Sequence, residues 1–244
     1  MAVRKSARET DEAGTEPNVH VHHKVKCVTE EVGRPKNRDV AMNEIVVGLG
    51  NVIPLWAADT RLYWRFNTTS FGLAPDPEAA KARIRSLLGR ALDLWGDASP
   101  VQLLERENAI DFEIVLRNAD DCDDRGRCVL ASAFFPDSGR HDLVIYPRML
   151  MQDEQEQIET LIHELGHVFG LRHFFALTNE TRTPAQVFGT HVRFTIMNYG
   201  ADSVLTDADR ADLKALYERA RSGQLRAING TPIMLVRPFS ALFG

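Results

Sequence analysis

Hydrophobic and polar positions follow regular spacings through most of the chain after residue 44, and these spacings predict its first elements. Residues 60–67 alternate polar and apolar side chains and include several aromatics, which is typical of a strand. Residues 77–95 repeat apolar side chains every three to four positions, which predicts a helix. Asp76 is placed to cap that helix, and Pro77 suits its first turn.

Similar patterns predict further elements toward the C-terminus. They are strands over 111–116, 129–135 and 141–146 and helices over 153–169 and 206–221. The turn at 136–139 joins the last two strands, which we expect to pair. Because strands and one helix come first and helices predominate afterwards, the order favours an α+β fold over a doubly wound sheet.

Residues 1–44 differ from the rest of the chain. They carry many charged residues of both signs and almost no large apolar side chains. Such a segment cannot bury enough surface to offset its ordering entropy. We interpret it as a flexible tail or a pro-segment, and an expression leader followed by a natural linker is an equally open interpretation.

Composition excludes several classes of protein. The 244 residues are 44% hydrophobic and carry a net charge of −5, which is ordinary for a globular protein and gives no basic footprint for nucleic acid. The longest apolar stretch, 45–56, is broken by glycines and a proline and is shorter than the roughly 20 residues of a membrane span. No conventional signal peptide is visible at the polar N-terminus.

Three cysteines are too few for a disulfide scaffold. Cys122 and Cys128 flank a short polar loop, where a local disulfide and two free thiols are both open alternatives. Cys27 is the odd cysteine.

The stretch from His163 to His173 carries the metal chemistry. On a helix, His163 and His167 lie on one face, so both imidazoles can reach one zinc ion at about 2.0–2.1 Å. Glu164 is offset by one residue and suits a role beside a zinc-bound water. Gly170 allows the chain to bend and bring His173 round as a third ligand. Three protein ligands leave one tetrahedral position open, the pattern of a catalytic zinc.

A methionine-containing segment, Thr195–Tyr199, follows this motif. Together the two motifs resemble the metzincin clan of zinc endopeptidases, and the matrixin group in particular. The resemblance implies that Met197 lies beneath the zinc and packs against the histidine ligands. Four further segments are similar to a matrixin catalytic domain and occur in the right order, at 62–66, 91–101, 131–136 and 205–217.

The resemblance also implies an architecture. We expect a metzincin-like zincin over residues 45–244, with a twisted mixed β-sheet, two long helices and the active-site helix in an N-terminal subdomain, 45–170. A small, mostly irregular C-terminal subdomain, 171–244, would hold the Met-turn and the final helix.

The chain departs from the matrixin pattern in its second metal site. Ser132 stands where a histidine is usual, and His141 is the one histidine nearby, so we do not expect a second, structural zinc. Calcium binding and a solvated acidic loop remain alternative interpretations of four neighbouring acidic residues, Asp120, Asp121, Asp123 and Asp124.

Two aromatic residues distinguish this chain from related groups. Phe174 follows the third histidine where astacins have glutamate, so the chain is not an astacin. Tyr199 stands two residues after the methionine, as in serralysins and astacins, where matrixins usually have proline. The resemblance implies a catalytic contact from Tyr199 to the zinc or the tetrahedral intermediate, and a packed aromatic is the alternative.

The predicted function is a zinc-dependent endopeptidase. Zinc activates a water and polarises the scissile carbonyl, while Glu164 takes a proton and delivers it to the leaving amine. A polypeptide substrate would add as an extended strand to the sheet edge at 132–135. The aromatic-rich region 174–194 predicts an apolar preference after the scissile bond.

A latency hypothesis concerns the N-terminal segment. Matrixins are often silenced by a pro-segment cysteine on zinc, and Cys27 lies on the correct side, although Lys26-Cys-Val-Thr does not match the usual switch sequence. Asp39 is the other candidate for a group that blocks the zinc.

Two rival functions stay open, a catalytically restricted metzincin-like binding module and a narrow-specificity effector or toxin protease. We expect a monomer that is secreted or extracellular, and a cytoplasmic location stays open as well.

Overall fold

The computed structural model describes residues 25–29, 52–173, 186, 188–189, 195–198 and 203–242. Its strands are β1 (Val25–Lys26), β2 (Ile53–Trp56), β3 (Arg61–Phe66), β4 (Gln102–Glu105), β5 (Phe112–Leu116), β6 (Cys128–Val129), β7 (Ala131–Ser132), β8 (His141–Ile145), β9 (Ala227–Ile228) and β10 (Thr231–Val236). Its α-helices are α1 (Thr68–Phe71), α2 (Pro77–Trp95), α3 (Pro147–Leu150), α4 (Glu154–Val168) and α5 (Asp207–Arg221). Short 3₁₀ segments cover Gly96–Ala98 and Phe239–Leu242.

A five-stranded mixed sheet forms the centre of the fold, in the order β4-β3-β5-β8-β7. Neighbouring strands are parallel except for β7, which runs antiparallel to β8. Alternation in β3 buries Leu62, Trp64 and Phe66 on one face of the sheet. These side chains join the main hydrophobic core, into which the long helices also pack. The α+β expectation and the pairing of the two strands around 129–146 are confirmed.

Helix α2 begins and packs as its sequence predicts. The side chain of Asp76 accepts a hydrogen bond from the Ala79 N–H at the helix N-terminus, and Pro77 occupies the first turn. The apolar stripe of α2 is buried against α4, where the Trp95 indole donates to the Ile162 carbonyl at 3.1 Å. The first long helix therefore supports the helix that carries the zinc motif.

A second, three-stranded sheet connects distant parts of the chain, in the order β2-β10-β9. Strand β10 lies parallel to β2, with Ile233 opposite Ile53 and Val236 opposite Trp56. The Trp56 indole donates to the Val168 carbonyl at 2.7 Å, so this sheet also supports the end of α4.

The structure corrects the single strand expected over 129–135. Two short strands, β6 and β7, occupy its first part instead. The Val129 N–H donates to the Asp121 carbonyl, whereas the Leu130 carbonyl accepts from the Tyr146 N–H. The chain changes its hydrogen-bonding partner between these residues because a Cys122–Cys128 disulfide holds β6 to the preceding loop.

Candidate metal centre

Helix α4 carries the first two histidines of the motif. It begins at Asp153, whose side chain accepts from the Glu156 N–H at 2.9 Å. Every residue from Leu161 to Val168 is buried, because the helix passes between the main sheet and the C-terminal elements. His163 and His167 therefore project into the protein interior from successive turns.

Three imidazole nitrogens converge at the end of α4. The Nε2 of His173 lies 3.3 Å from the Nε2 of His163 and 3.2 Å from the Nε2 of His167. The predicted ligand set is thus brought together in one place.

Backbone carbonyls fix the tautomers of two of these rings. The Nδ1 of His163 lies 2.8 Å from the Ile196 carbonyl, and the Nδ1 of His167 lies 2.9 Å from the Leu171 carbonyl. A carbonyl oxygen only accepts, so each Nδ1 donates and each neutral ring keeps its lone pair on Nε2. Converging lone pairs repel one another unless a cation lies between them, so this donor set fits a divalent metal ion.

Burial keeps the two helical rings neutral. It lowers the pKa of His163 to about 4. It also lowers the pKa of His167 well below its ordinary value, and the neighbouring His173 and His163 add to the shift. Neutral imidazole is the form that ligates metals.

Gly170 turns the chain back toward the metal centre. Its φ is +90°, a left-handed conformation that favours glycine, and an added Cβ would lie 3.2 Å from both Leu55 Cδ2 and the Pro54 carbonyl. The helix therefore stops at Val168 and the chain reverses so that His173 faces the helical histidines, as the sequence predicts.

The Glu164 carboxylate contacts Cys27 and Thr29, and the space between α4 and these residues is called the cleft below. Glu164 is 2% exposed, and burial raises its pKa to about 7 despite hydrogen bonds from Thr29 and Cys27 that lower it. A carboxyl group with a pKa near neutrality can both take up and release a proton.

Cys27 lies beside the three histidines. Its Sγ is 3.7 Å from the Nε2 of His167 and 3.6 Å from Glu164 Oε1. In the part of the chain that the structure describes, one group of histidine, cysteine and acidic residues has metal-binding geometry, with its ligand atoms within 4.8 Å of one another. Its members are Cys27, His163, His167 and His173.

The segment that carries Cys27 runs along the edge of the cleft. Strand β1 pairs in parallel with β6, and Lys26 forms an ion pair with Asp121 at 3.3 Å. Beyond Cys27, the Thr29 hydroxyl contacts Glu164 and the Ala133 backbone. No spacing rule singles out Thr29, so its place in the site was not predicted from the sequence.

Met197 packs against helix α4. Its sulfur would stand 2.3 Å from a β-carbon added at Gly166, so the helix and the methionine are in direct contact. The methionine is 4% exposed. The turn that carries it is held by Thr195, whose hydroxyl donates to Asp209 in the N-terminal turn of α5 at 2.5 Å.

Several predicted residues contribute differently or lie elsewhere. Tyr199, Asp39, Phe174 and most of 174–194 lie outside the described residues. The Nε2 of His141 lies 2.8 Å from an Asp137 carboxylate oxygen, and the ring of His141 stacks on Phe134. In the acidic loop, Asp123 binds Arg127.

None of the helices within the described ranges is both long and apolar enough to cross a membrane.

Comparisons with known proteins agree with this geometry. The matrixin family model matches residues 56–218. Metalloendoproteinase 4-MMP of Arabidopsis thaliana is 30% identical over an alignment of 133 residues, and the match covers 49% of this chain and 38% of that protein. The match therefore spans well under half the length of this curated relative.

Solved structures to which the chain is similar include myroilysin and a hatching enzyme. Myroilysin is 13% identical with a TM-score of 0.45, and the match covers 70% of this chain and 99% of that chain. High choriolytic enzyme 1, a hatching enzyme zinc-protease from Oryzias latipes, is 10% identical with a TM-score of 0.42, and the match covers 67% of this chain and 94% of that chain.

Proposed function

Because the chain belongs to the matrixin family, we propose that it is a zinc-dependent endopeptidase with Glu164 as its general base. The observation that carries this proposal is the convergence of three histidine Nε2 atoms, of which His173 lies within 3.3 Å of the other two, beside a buried carboxylate. His163, His167 and His173 would hold the metal. A bound zinc would supply Lewis acidity, which activates water and polarises the scissile carbonyl.

Glu164 supplies the proton transfers. Its carboxylate lies at the cleft beside the ligand set, where it would take a proton from water and deliver it to the leaving amine. We propose that Tyr199, which lies outside the described residues, contacts the developing oxyanion, and that Met197 supports the ligand helix from below.

The substrate is a polypeptide bound in extended form along the sheet edge near Ser132. Support comes from the chain itself, because β1 pairs with β6 just before this edge and the Ala133 N–H donates a hydrogen bond to the Thr29 hydroxyl. Main-chain pairing of a substrate with the edge strand would give affinity with little sequence selectivity.

We propose that residues 1–44 are an inhibitory pro-segment and that 45–244 form the catalytic domain. Cys27 would close the fourth coordination position, since its Sγ lies within 4.8 Å of the ligand nitrogens. Asp39, the other candidate for this role, lies outside the described residues. We propose Cys27 for this role because its Sγ lies 3.7 Å from the Nε2 of His167.

The proposal also includes the cellular location and the oligomeric state of this protein. The Cys122–Cys128 disulfide supports a secreted or extracellular location, since such bonds persist in oxidising compartments. We propose that the protein acts as a monomer. Calcium binding by the acidic loop stays a proposal, which a calcium titration monitored by thermal unfolding tests.

A catalytically restricted binding module is the second candidate, because the cleft is filled by residues 25–29. The test uses the full chain with Cys27→Ala and Thr29→Val together, which removes both contacts of the segment with the site. Zinc content and casein cleavage are measured with and without Glu164→Gln. We expect Glu164→Gln to keep the zinc and lower kcat/KM at least about hundredfold.

Matched controls make the outcome specific. Glu159→Gln changes another glutamate of α4, which accepts a hydrogen bond from Gln155 away from the cleft, and should cleave casein normally. His167→Ala should lose zinc and cleavage together. A zinc-loaded double variant that leaves casein and a random peptide library intact would favour the binding module.

A further inference from the structure

Thr29 is the most completely buried residue of the segment in the cleft, with 0% of its surface exposed. Its hydroxyl donates to Glu164 Oε2 at 2.7 Å and accepts from the Ala133 N–H at 2.9 Å. Its own N–H points at the Cys27 Sγ, 3.4 Å away. A threonine hydroxyl has one proton to give, and here that proton is directed at the carboxylate.

These contacts join two functional parts of the cleft. Glu164 is the proposed base, and Ala133 follows the edge strand β7, where an extended substrate would pair. The Thr29 hydroxyl therefore binds two groups that the proposed reaction needs. They are the Glu164 carboxylate, which would receive a proton, and the Ala133 N–H, which would bind a peptide substrate. The Cys27 Sγ lies beside Glu164 Oε1 and His167 Nε2, whereas the Thr29 hydroxyl binds Glu164 Oε2 and the Ala133 N–H, so the two side chains cover different atoms of the cleft.

We propose that Thr29 is a second lock of the inhibitory segment, which holds residues 25–29 in the cleft through Glu164 and Ala133 without any bond to the metal. The proposal rests on the proposed function, in which this cleft is the active site. It assigns the segment two contacts in the cleft, a thiol beside the three histidines and a hydroxyl on the proposed catalytic carboxylate.

The Thr29 contacts have a measurable consequence. A hydrogen bond to a buried carboxylate is stronger than one between neutral groups, so its loss shifts an opening equilibrium by about tenfold or more. Thr29→Val keeps the branched shape but leaves Glu164 and Ala133 to be solvated, which requires the segment to leave the cleft. Cys27 leaves with it and becomes accessible to reagents.

Thiol labelling of the full chain measures this opening. Cys27 is the cysteine that lies outside the disulfide, because Cys122 and Cys128 are bonded to each other. The rate of alkylation by iodoacetamide is followed after zinc has been removed with a chelator, so that no metal–thiolate bond retains the segment. We expect Thr29→Val to react about tenfold faster than the wild type and Thr29→Ser to react within about twofold of it.

Thr69→Val is the matched control, since Thr69 is an exposed threonine of α1 and its change should leave the rate unaltered. Thr29→Ala removes the same hydroxyl with a smaller side chain and should also speed labelling, which keeps the test decisive should Thr29→Val fail to fold. Glu164→Ala breaks the same bond from the other side and also removes the Cys27 contact with that carboxylate. In the Glu164→Ala background, adding Thr29→Val should have a much smaller effect.

Equal labelling rates for Thr29→Val and the wild type would overturn the proposal. So would a Thr29→Val effect of full size in the Glu164→Ala background. Neither result depends on peptide cleavage, so failure of this lock and failure of the proposed peptidase activity remain distinguishable.

Discussion

The sulfur of Met197 rests against the backbone of Gly166, on the side of α4 away from solvent. A β-carbon at Gly166 would lie 2.3 Å from that sulfur and 3.2 Å from the methionine Cε. Residue 166 must therefore be glycine for the Met197 side chain to pack this closely against α4.

Gly166→Ala should destabilise the protein by about 1–3 kcal/mol, because the buried methionine must move or the helix must shift. Urea unfolding measures the free energy, and zinc content reports the effect on the ligand helix. Gly89→Ala is the control, since Gly89 lies within α2 with nothing within 4 Å of an added Cβ. It should stabilise the protein by about 0.5–1 kcal/mol.

A cycle with Met197→Ala sharpens this prediction. Shortening the methionine removes the clash, so Gly166→Ala should cost much less in that background. Additive losses would show that the glycine is needed for another reason.

Arg221→Lys should lower the free energy of unfolding by about 1–3 kcal/mol, because the guanidinium donates to several carbonyls at once. It contacts the carbonyls of Trp56, Ala57 and Pro100 at 2.7–3.2 Å and stacks on the Tyr217 ring. Lysine lacks this planar set of donors. Chemical unfolding of Arg219→Lys, an exposed neighbour on α5, should show a change of less than about 0.5 kcal/mol, and equal losses in both variants would contradict the account.

The carboxyl of Asp111 should make stability fall as pH rises. Burial raises its pKa, although hydrogen bonds from the Tyr63 and Ser240 backbones oppose the shift. The folded state therefore holds this proton more tightly than the unfolded state, whose aspartate has a pKa of about 3.9. The contribution is complete below that value and is lost as pH rises through the folded pKa.

Asp111→Asn removes this titration. Urea unfolding between pH 4 and 7 should show the wild type losing stability relative to Asp111→Asn as the pH rises. A constant difference, or one of the opposite sign, would contradict the assignment.

Reduction of the Cys122–Cys128 disulfide should cost roughly 2 kcal/mol of stability, the chain-entropy value for a loop of this length. Thermal unfolding with and without a dithiol reductant measures the loss. The double serine variant should match the reduced wild type and should no longer respond to the reductant.

Local signals in the sequence predicted most of the metal centre. Residues four positions apart, such as His163 and His167, lie on one face of any α-helix. A chain reversal with a positive φ favours glycine, as it does at Gly170. The helix N-caps Asp76 and Asp153 each accept a hydrogen bond from the backbone N–H three residues further along the chain. Such short-range rules hold without knowledge of the rest of the fold.

The pairing of β2 with β10 and the contacts of Thr29 were not predicted. Strand β10 contains Pro232 and has no clear alternation, and its partner β2 lies far earlier in the chain. Thr29 lies in a segment whose composition argues against ordering, yet a cleft made by residues 128–173 surrounds it. Its hydrogen bonds follow from tertiary packing, which no short sequence pattern encodes.

The parallel pairing of β2 and β10 affects the order in which the protein assembles. During synthesis, β2 emerges early and has no partner until Thr231–Val236 has left the ribosome. Trp56 of β2 also holds the Val168 carbonyl at the end of α4. The strand that braces the end of the histidine-bearing helix is therefore itself paired only after Thr231–Val236 has been made.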